Sequence, residues 1–372
     1  MFSQVNIVHV VRQFAPMVGG LEDFVRNLAI RQLGRFASVR VVTLDRLFTN
    51  LETYLPANGI VDGVAVERIP FWGSTRYPIA PSVFRHLGPA DIVHVHAVDF
   101  FFDALALTRL VHRKPIVATT HGGFFHTRNH SALKKVWFNT LTRFSADGYG
   151  AIACCSESDL ELFSKIAPNK ARLIENGVDL EKFCNSSSET AQKRLVTIGR
   201  FSKNKGLDKL LDTLARLVSD DPAWQLDVIG SPSDLSQDDL VGLIEARGLT
   251  GHVQLRIGVS DADVRKVLGQ CSLFVSASKY EGFGIAMIEA MSAGLVPVVH
   301  PNAAFTSLAT RHPMIKLVDF DRPGDAAAAI SERFVHIAAT PVVRDQVILS
   351  SRQHGWSATS DAYDQMYRDV LA

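Results

Sequence analysis

Two doubly wound α/β domains in tandem are the fold class this sequence predicts, and three observations point there. Short apolar runs alternate with stretches of helical periodicity along almost the whole chain, the pattern of parallel β-α-β units. The alternation pauses at a polar stretch, residues 181–193, and then restarts. A length of 372 residues is also long for one core and suits two domains of roughly 150–200 residues each.

The elements follow in order. "VNIVHVV" at residues 5–11 reads as a buried strand, and "GGLEDFVRNLAIRQL" at 19–33 as the amphipathic helix after it. Apolar runs at 39–44, 91–96, 115–120 and 150–155 supply further strands of the first series. The second series reads 194–200, 224–230, 253–258, 271–278 and 295–300, with helices between. The last stretch, "SATSDAYDQMYRDVLA", is an amphipathic helix with Ser/Thr capping candidates at its start. The expected domains are 1–182 and 183–354, with a helix at 355–372 packing back on the first. Ligands bind open α/β sheets at the carboxyl ends of their strands, so the cleft expected between two such sheets is where functional side chains should gather.

Composition narrows the function classes. The 39 Lys+Arg against 38 Asp+Glu leave a net charge of +1, so the global basic footprint of a nucleic-acid binder is missing. Cys154, Cys155, Cys184 and Cys271 lack metal-ligand or C-x-x-C spacing, which reads as reduced thiols of a cytosolic protein. No apolar run approaches the ~20 residues of a membrane span, and the start of the chain lacks a signal-peptide pattern. The expected location is cytoplasmic, or peripheral on the inner face of the cell membrane.

The chemistry-bearing residues stand just after strands. In "IGRFSKNKGLDKLL", Arg200 leaves a strand and Lys205 precedes Gly206; a planar fork of donors and a compact ammonium together suit a diphosphate. In "SKYEGFGIAMIEAMSAG", Gly282 and Gly284 allow close backbone approach, and a helix starting near Gly284 or Ile285 aims free N–H groups at an anion. Glu281 precedes that anion site, facing sugar hydroxyls. Glu289 lies on the helix among Met287, Ile288, Ala290 and Met291, where a carboxylate needs partners; ribose hydroxyls would serve. Gly19 and Gly20 form a second loop of close approach. His96 and His121 each end a strand. A metal site from His94, His96, His121 and His126 is argued against by the alternation of side chains along a strand and by the lack of Cys or Glu at ligand spacing. His121 reads instead as a hydrogen-bonding group at the reacting centre. Asp261-Ala262-Asp263 and Asp319-Phe320-Asp321 match D-x-D, but helix capping is the expected role for both.

Taken together, the Gly19-Gly20 loop, "HVHA", "TTHG", "ENGVD", "GRFSKNKG" and the Glu281–Glu289 pair resemble a retaining glycosyltransferase of family four, the GT-B type with two Rossmann-like domains. The resemblance spans nearly the whole chain. It implies that Glu281 faces the donor sugar and Glu289 the nucleotide ribose. Arg200 and Lys205 match the family's diphosphate cations, and Phe283, Gly284 and Ile285 its backbone contacts to the donor. The likeness stops at residues 300–310, where "HPNAAFTSLAT" replaces the Gly-Gly pair and further Glu of many members. An Ala-Phe variant there is similar to bacterial mannosyltransferases that use GDP-mannose. The resemblance therefore implies a nucleotide-sugar donor, GDP-mannose, and a lipid-linked oligosaccharide acceptor on polyprenol diphosphate, as in exopolysaccharide assembly. It implies front-side transfer, in which the donor phosphate takes the acceptor proton, with no metal and no cofactor. The alternatives are another nucleotide sugar as donor, a UDP-sugar epimerase of the same architecture, or a non-enzymatic sugar-binding protein.

Two finer expectations complete the reading. Asp261 follows a strand of the second series, where a base should lie, and its carboxylate suits N1–H and N2–H of guanine. "HTRNHSALKKVWFNTLTRFSADGY" carries Lys134, Lys135 and Trp137 among further basic and aromatic residues. As a basic amphipathic helix it would rest on an anionic membrane surface near the acceptor.

Overall fold

The apolar runs of the first series pair into one sheet in the computed structural model, which describes residues 2–122 and 136–372. From one edge its strands are Ala171–Leu173, Ala151–Cys154, Ile116–Thr119, Ile92–His96, Phe2–Val10, Phe36–Leu44, Val64–Ile69 and Asn58–Val61. All neighbours are parallel except the last two. Those two join through Asp62 and Gly63, both at positive φ (48° and 84°), as a two-residue hairpin with matching twist requires. Ile7, Val8, Val10, Ile92, Val93 and Val95 are fully buried. A strand covered on both faces reads as a continuous apolar run, which is why these strands were legible.

The second sheet runs Val253–Ile257, Gln225–Gly230, Arg194–Ile198, Leu273–Ser276, Val296–Val299, Lys316–Leu317, all parallel. Counted along this unit, the order is 3-2-1-4-5-6, the doubly wound order whose ligand crevice lies where the winding reverses. That reversal falls between Arg194–Ile198 and Leu273–Ser276.

The chain divides into Met1–Gly177 with Ser357–Ala372, and Val178–Trp356. The sequence-based boundary at 182/183 lies a few residues too late because the polar stretch is not a free linker. Val178 N–H donates to the His354 carbonyl at 2.9 Å, Asn185 N–H to Ser292 and Ser187 N–H to Ala293, so these residues belong to the second unit. The C-terminal helix Trp356–Leu371 belongs to the first from Ser357 onward. Its Tyr363, Met366 and Tyr367 are fully buried, Asp364 pairs with Arg35, and Thr359 donates to the Glu175 carbonyl at 3.1 Å.

Candidate active site

In the second unit the loop after Arg194–Ile198 brings Lys205 to Glu281. Lys203–Lys205 forms one tight turn, Gly206 takes φ +60°, and the helix Leu207–Asp220 follows. Lys205 Nζ lies 2.7 Å from Glu281 Oε1, both side chains mostly buried. Asn204 locks the two loops together: its carbonyl accepts from Lys279 N–H at 3.0 Å and its amide donates to the Tyr280 carbonyl at 2.8 Å. Arg200 is exposed; among the described residues no side chain pairs with it. One cation is thus held against a carboxylate and another is free, both at the winding reversal.

Beside them starts the helix Ile285–Ala293. Gly284 precedes it at φ +95°, and no side chain caps its first turn. A Cβ on Gly284 would come within 2.9 Å of the Phe305 ring, so glycine is required here by both conformation and space. Phe283 is buried against His354, ring centroids 5.7 Å apart.

Glu289 finds a partner the sequence did not disclose. Lys182 Nζ lies 3.7 Å from Glu289 Oε1 and 3.2 Å from Asp261 Oδ1. Burial raises the Glu289 pKa, partly offset by the Lys182 charge. Burial pulls Lys182 down, but the charges of Glu289 and Asp261 outweigh it, so its pKa ends above the usual lysine range. Asp261 is not the helix cap: Ser260 holds that place and accepts from Asp263 N–H at 3.2 Å. The other D-x-D does not cap either. The helix Pro323–Ala339 starts after Arg322 without a side-chain cap, its proline already presetting φ. Asp319 accepts from Asp321 N–H at 2.9 Å, and Asp321 faces Lys279 and Lys209 at 3.7 and 3.9 Å.

In the first unit Gly19 caps the helix Gly20–Gln32 with extended backbone. A Cβ on Gly20 meets nothing within 4 Å, so the chain's own packing leaves room there. His121 sits two residues past Ile116–Thr119 at φ +52°, unusual for a residue with a Cβ. Its N–H donates to Cys155 Sγ at 3.0 Å.

His94 and His96 do converge, against expectation. Two apart on one strand, they share a face, with ring centroids 4.0 Å apart. His9 joins them from the neighbouring strand, and nitrogens of the three lie within 4.8 Å. Every one of those ring nitrogens already has a protein partner. His9 meets His96 and Gln32, His96 also meets His121, and His94 meets Tyr367 and Thr119. This is a satisfied polar core. Burial keeps the rings neutral, lowering His9 from 6.5 to about 4 and His121 to about 3. Below pH 6.5 the unfolded chain binds protons that the folded one refuses, so stability rises with pH between 4 and 6.5 and is lost on acidification. For His9 alone the slope is about 1.4 kcal/mol per pH unit. A urea midpoint unchanged between pH 7 and pH 5 would contradict the buried, neutral cluster.

His126, Lys134 and Lys135 lie outside the described residues. Trp137 stands edge-on to Tyr77 at 6.0 Å. The following residues do not present one apolar stripe: Phe138 is buried against Phe163, while Phe144 is 68% exposed.

With this geometry in view, the likeness to known proteins becomes specific. Residues 18–182 match the family model described as Glycosyltransferase Family 4, and residues 180–332 that of Glycosyl transferases group 1. The chain is 44% identical over 327 residues to the GDP-mannose:cellobiosyl-diphosphopolyprenol alpha-mannosyltransferase of Xanthomonas campestris, covering 87% of this chain and 86% of that one. The chain belongs to the family-four glycosyltransferases. A protein of the same name from Xanthomonas oryzae pv. oryzae is 40% identical to this glycosyltransferase, over 98% of this chain and 97% of the other. In fold, the glycosyltransferase resembles HepE of Anabaena, crystallised with UDP and glucose, with a TM-score of 0.74 at 18% identity, covering 98% and 100% of the two chains. The GT-B architecture is thereby established, and the epimerase and sugar-binding alternatives are set aside. Lys182 and Asn204 are what sequence reasoning missed in this enzyme. Lys182 sits in a stretch that reads as linker, and Asn204 acts through backbone groups that no motif encodes.

Proposed function

We propose that this glycosyltransferase transfers mannose from GDP-mannose to a lipid-linked oligosaccharide, cellobiosyl-diphosphopolyprenol, with retention at the anomeric carbon. The observation that carries this is the 38–44% identity, over most of the chain, to three relatives named for that reaction. The site supports it. Arg200 and Lys205 meet the diphosphate, joined by the N-terminus of the helix Ile285–Ala293, and stabilise the charge that grows on departing GDP. Glu281, held by Lys205, takes sugar hydroxyls; Phe283, Gly284 and Ile285 offer backbone groups to the same donor. Glu289 takes the ribose and Asp261 the guanine edge, with Lys182 between them. Gly19 and Gly20 are read as donor-binding and His121 as catalytic.

A thermal-shift series with GDP-, UDP- and ADP-sugars tests the donor. GDP-mannose at 100 times its Kd should stabilise by about 2.7 kcal/mol, and a larger shift with UDP- or ADP-sugars would overturn the choice. No divalent cation is needed in this scheme, so turnover should persist in EDTA; a loss rescued only by Mn²⁺ or Mg²⁺ would return the D-x-D pairs to consideration.

A lipid-linked acceptor supports a position at an anionic membrane surface. No helix among the described residues is long and apolar enough to cross a bilayer. Leu110 and Val111, on the short helix Arg109–His112, are 79% and 83% exposed. Arg109 Nη1 reaches the Asp147 carbonyl at 3.3 Å, which puts these residues near the segment of Phe144. Apolar side chains flanked by Arg109, Arg113, Lys114 and Arg143 suit insertion at headgroup depth, together with Trp137. Each cation near the surface contributes about 1 kcal/mol. Sedimentation with phosphatidylserine vesicles should show binding that weakens with salt and with Lys134→Ser/Lys135→Ser or Leu110→Ser/Val111→Ser. Equal binding by all variants would remove this face as the anchor.

A further inference from the structure

Behind His121 runs a chain of eight buried or half-buried side chains joined end to end. His121 Nε2 meets His96 Nδ1 at 3.0 Å, and His96 Nε2 meets His9 Nδ1 at 2.9 Å. His9 Nε2 meets the Gln32 carbonyl oxygen at 2.7 Å, and the Gln32 amide donates to Tyr367 at 3.2 Å. Tyr367 meets His94 Nδ1 at 2.8 Å, His94 Nε2 meets Thr119 at 2.7 Å, and Thr119 meets Tyr363 at 2.9 Å. Seven of the eight are buried, and only His121 reaches solvent.

Such a chain has a direction. A neutral imidazole carries one donor and one acceptor, so the proton position on one ring dictates the next. The Gln32 carbonyl faces His9, hence His9 carries its hydrogen on Nε2 and accepts through Nδ1. His96 must then donate from Nε2 and accept through Nδ1, and His121 must donate from Nε2. Beyond Gln32 the same sense continues: Tyr367 donates to His94, and His94 Nε2–H donates to Thr119. All four histidines are held uncharged by burial, His94 and His96 well below the usual imidazole range. The outcome is a bare Nδ1 on His121, on a residue whose positive φ is sustained by its surroundings rather than by preference.

We propose that this relay is a positioning device: His96, His9, Gln32 and Tyr367 hold His121 as the neutral Nε2–H tautomer, so that its Nδ1 accepts a hydrogen bond from a hydroxyl of the transferred sugar. The proposal rests on the reading of His121 as a substrate-facing residue. It also gives the C-terminal helix a part in the site, because Tyr363 and Tyr367 close the relay from that helix. His121 is the group that touches substrate; the others act through it.

Long-range ¹H–¹⁵N correlation spectra of the full chain, with ¹⁵N-labelled histidine and no substrate, read the tautomers directly. His9, His94, His96 and His121 should all be protonated on Nε2 with bare Nδ1. Protonation of His121 on Nδ1 would overturn the relay, whatever the activity. Gln32→Leu removes the acceptor that sets the direction. In it His121 should lose its single tautomer, and kcat should fall about tenfold, the worth of one hydrogen bond. GDP affinity should stay unchanged, because GDP lacks the transferred mannose. If Gln32→Leu does not fold, Tyr367→Phe breaks the relay one link further on, with the same readouts. A folded variant with wild-type kcat and wild-type tautomers overturns the proposal. A fully active His121→Ala beside the expected wild-type tautomers would instead remove the substrate role of His121, and the proposal with it.

Discussion

Lys205→Ala is expected to lower kcat by roughly 10²–10³, comparable to removing one donor from an oxyanion site, while the protein stays folded. Lys205 Nζ is 2.7 Å from Glu281 Oε1 and mostly buried, so it is a fixed cation in a partly water-excluded setting, where charge counts for more than at the surface. In the proposed reaction a nucleoside diphosphate departs, and the negative charge on the leaving oxygens is greater in the transition state than in the bound donor. A preplaced ammonium therefore acts mainly on kcat. The carboxylate partner matters too. Without Lys205 the Glu281 carboxylate loses its cation and no longer has a defined position for the sugar. Lys205→Arg keeps the charge on a larger, planar group and should recover only part of the rate. Near-normal turnover of Lys205→Ala with GDP-mannose, in a variant whose melting temperature is unchanged, would remove this residue from the diphosphate site.

Much of the fold was readable because of how it is buried. A strand such as Val296–Val299 is buried at every position, so it appears as an unbroken apolar run. Residues 46–79 were not readable in the same way. Asn50–Tyr54 and Trp72–Ser74 are exposed throughout, and short exposed strands carry no periodic signal. The Asp62-Gly63 pair was the one local clue there, since two consecutive positive φ values call for such residues. The site divides similarly. Arg200, Lys205 and Glu281 follow strands and Glu289 lies on the helix Ile285–Ala293, so motif and topology single them out as candidates. Lys182 cannot be found that way, because its meaning comes from Asp261 and Glu289, both distant in sequence. The histidine cluster lies between these cases. The period of two places His94 and His96 on one face, but the arrival of His9 depends on which strands are neighbours.

Gly206→Ala should cost about 3 kcal/mol of stability and abolish most activity, through a single methyl group far smaller than any ligand. Gly206 takes φ +60° at the end of the Lys203–Lys205 turn, a left-handed conformation that costs a residue with a Cβ about 1 kcal/mol or more. The added Cβ would also sit 2.6 Å from the Ala277 carbonyl oxygen and 3.1 Å from the Ala277 Cβ. Neither is the far end of a flexible side chain, so backbone must move, and forced overpacking of this kind costs typically 1–3 kcal/mol. The direction of that movement gives the prediction its functional content. Ala277 leads through Ser278 into Lys279, whose N–H is bonded to Asn204, and Asn204 also holds the Tyr280 carbonyl. Pushing the two loops apart at Gly206 strains both bonds and draws Lys205 away from Glu281, across the reversal point of the sheet. Stability and turnover should therefore fall together, with GDP-mannose affinity weakened as well. Gly20→Ala is the contrast: its Cβ meets nothing within 4 Å, so it should leave stability within about 0.5 kcal/mol. A Gly206→Ala protein that melts like wild type would show that the two loops yield independently, and the close approach of Gly206 to Ala277 would then not be what holds Lys205 in place.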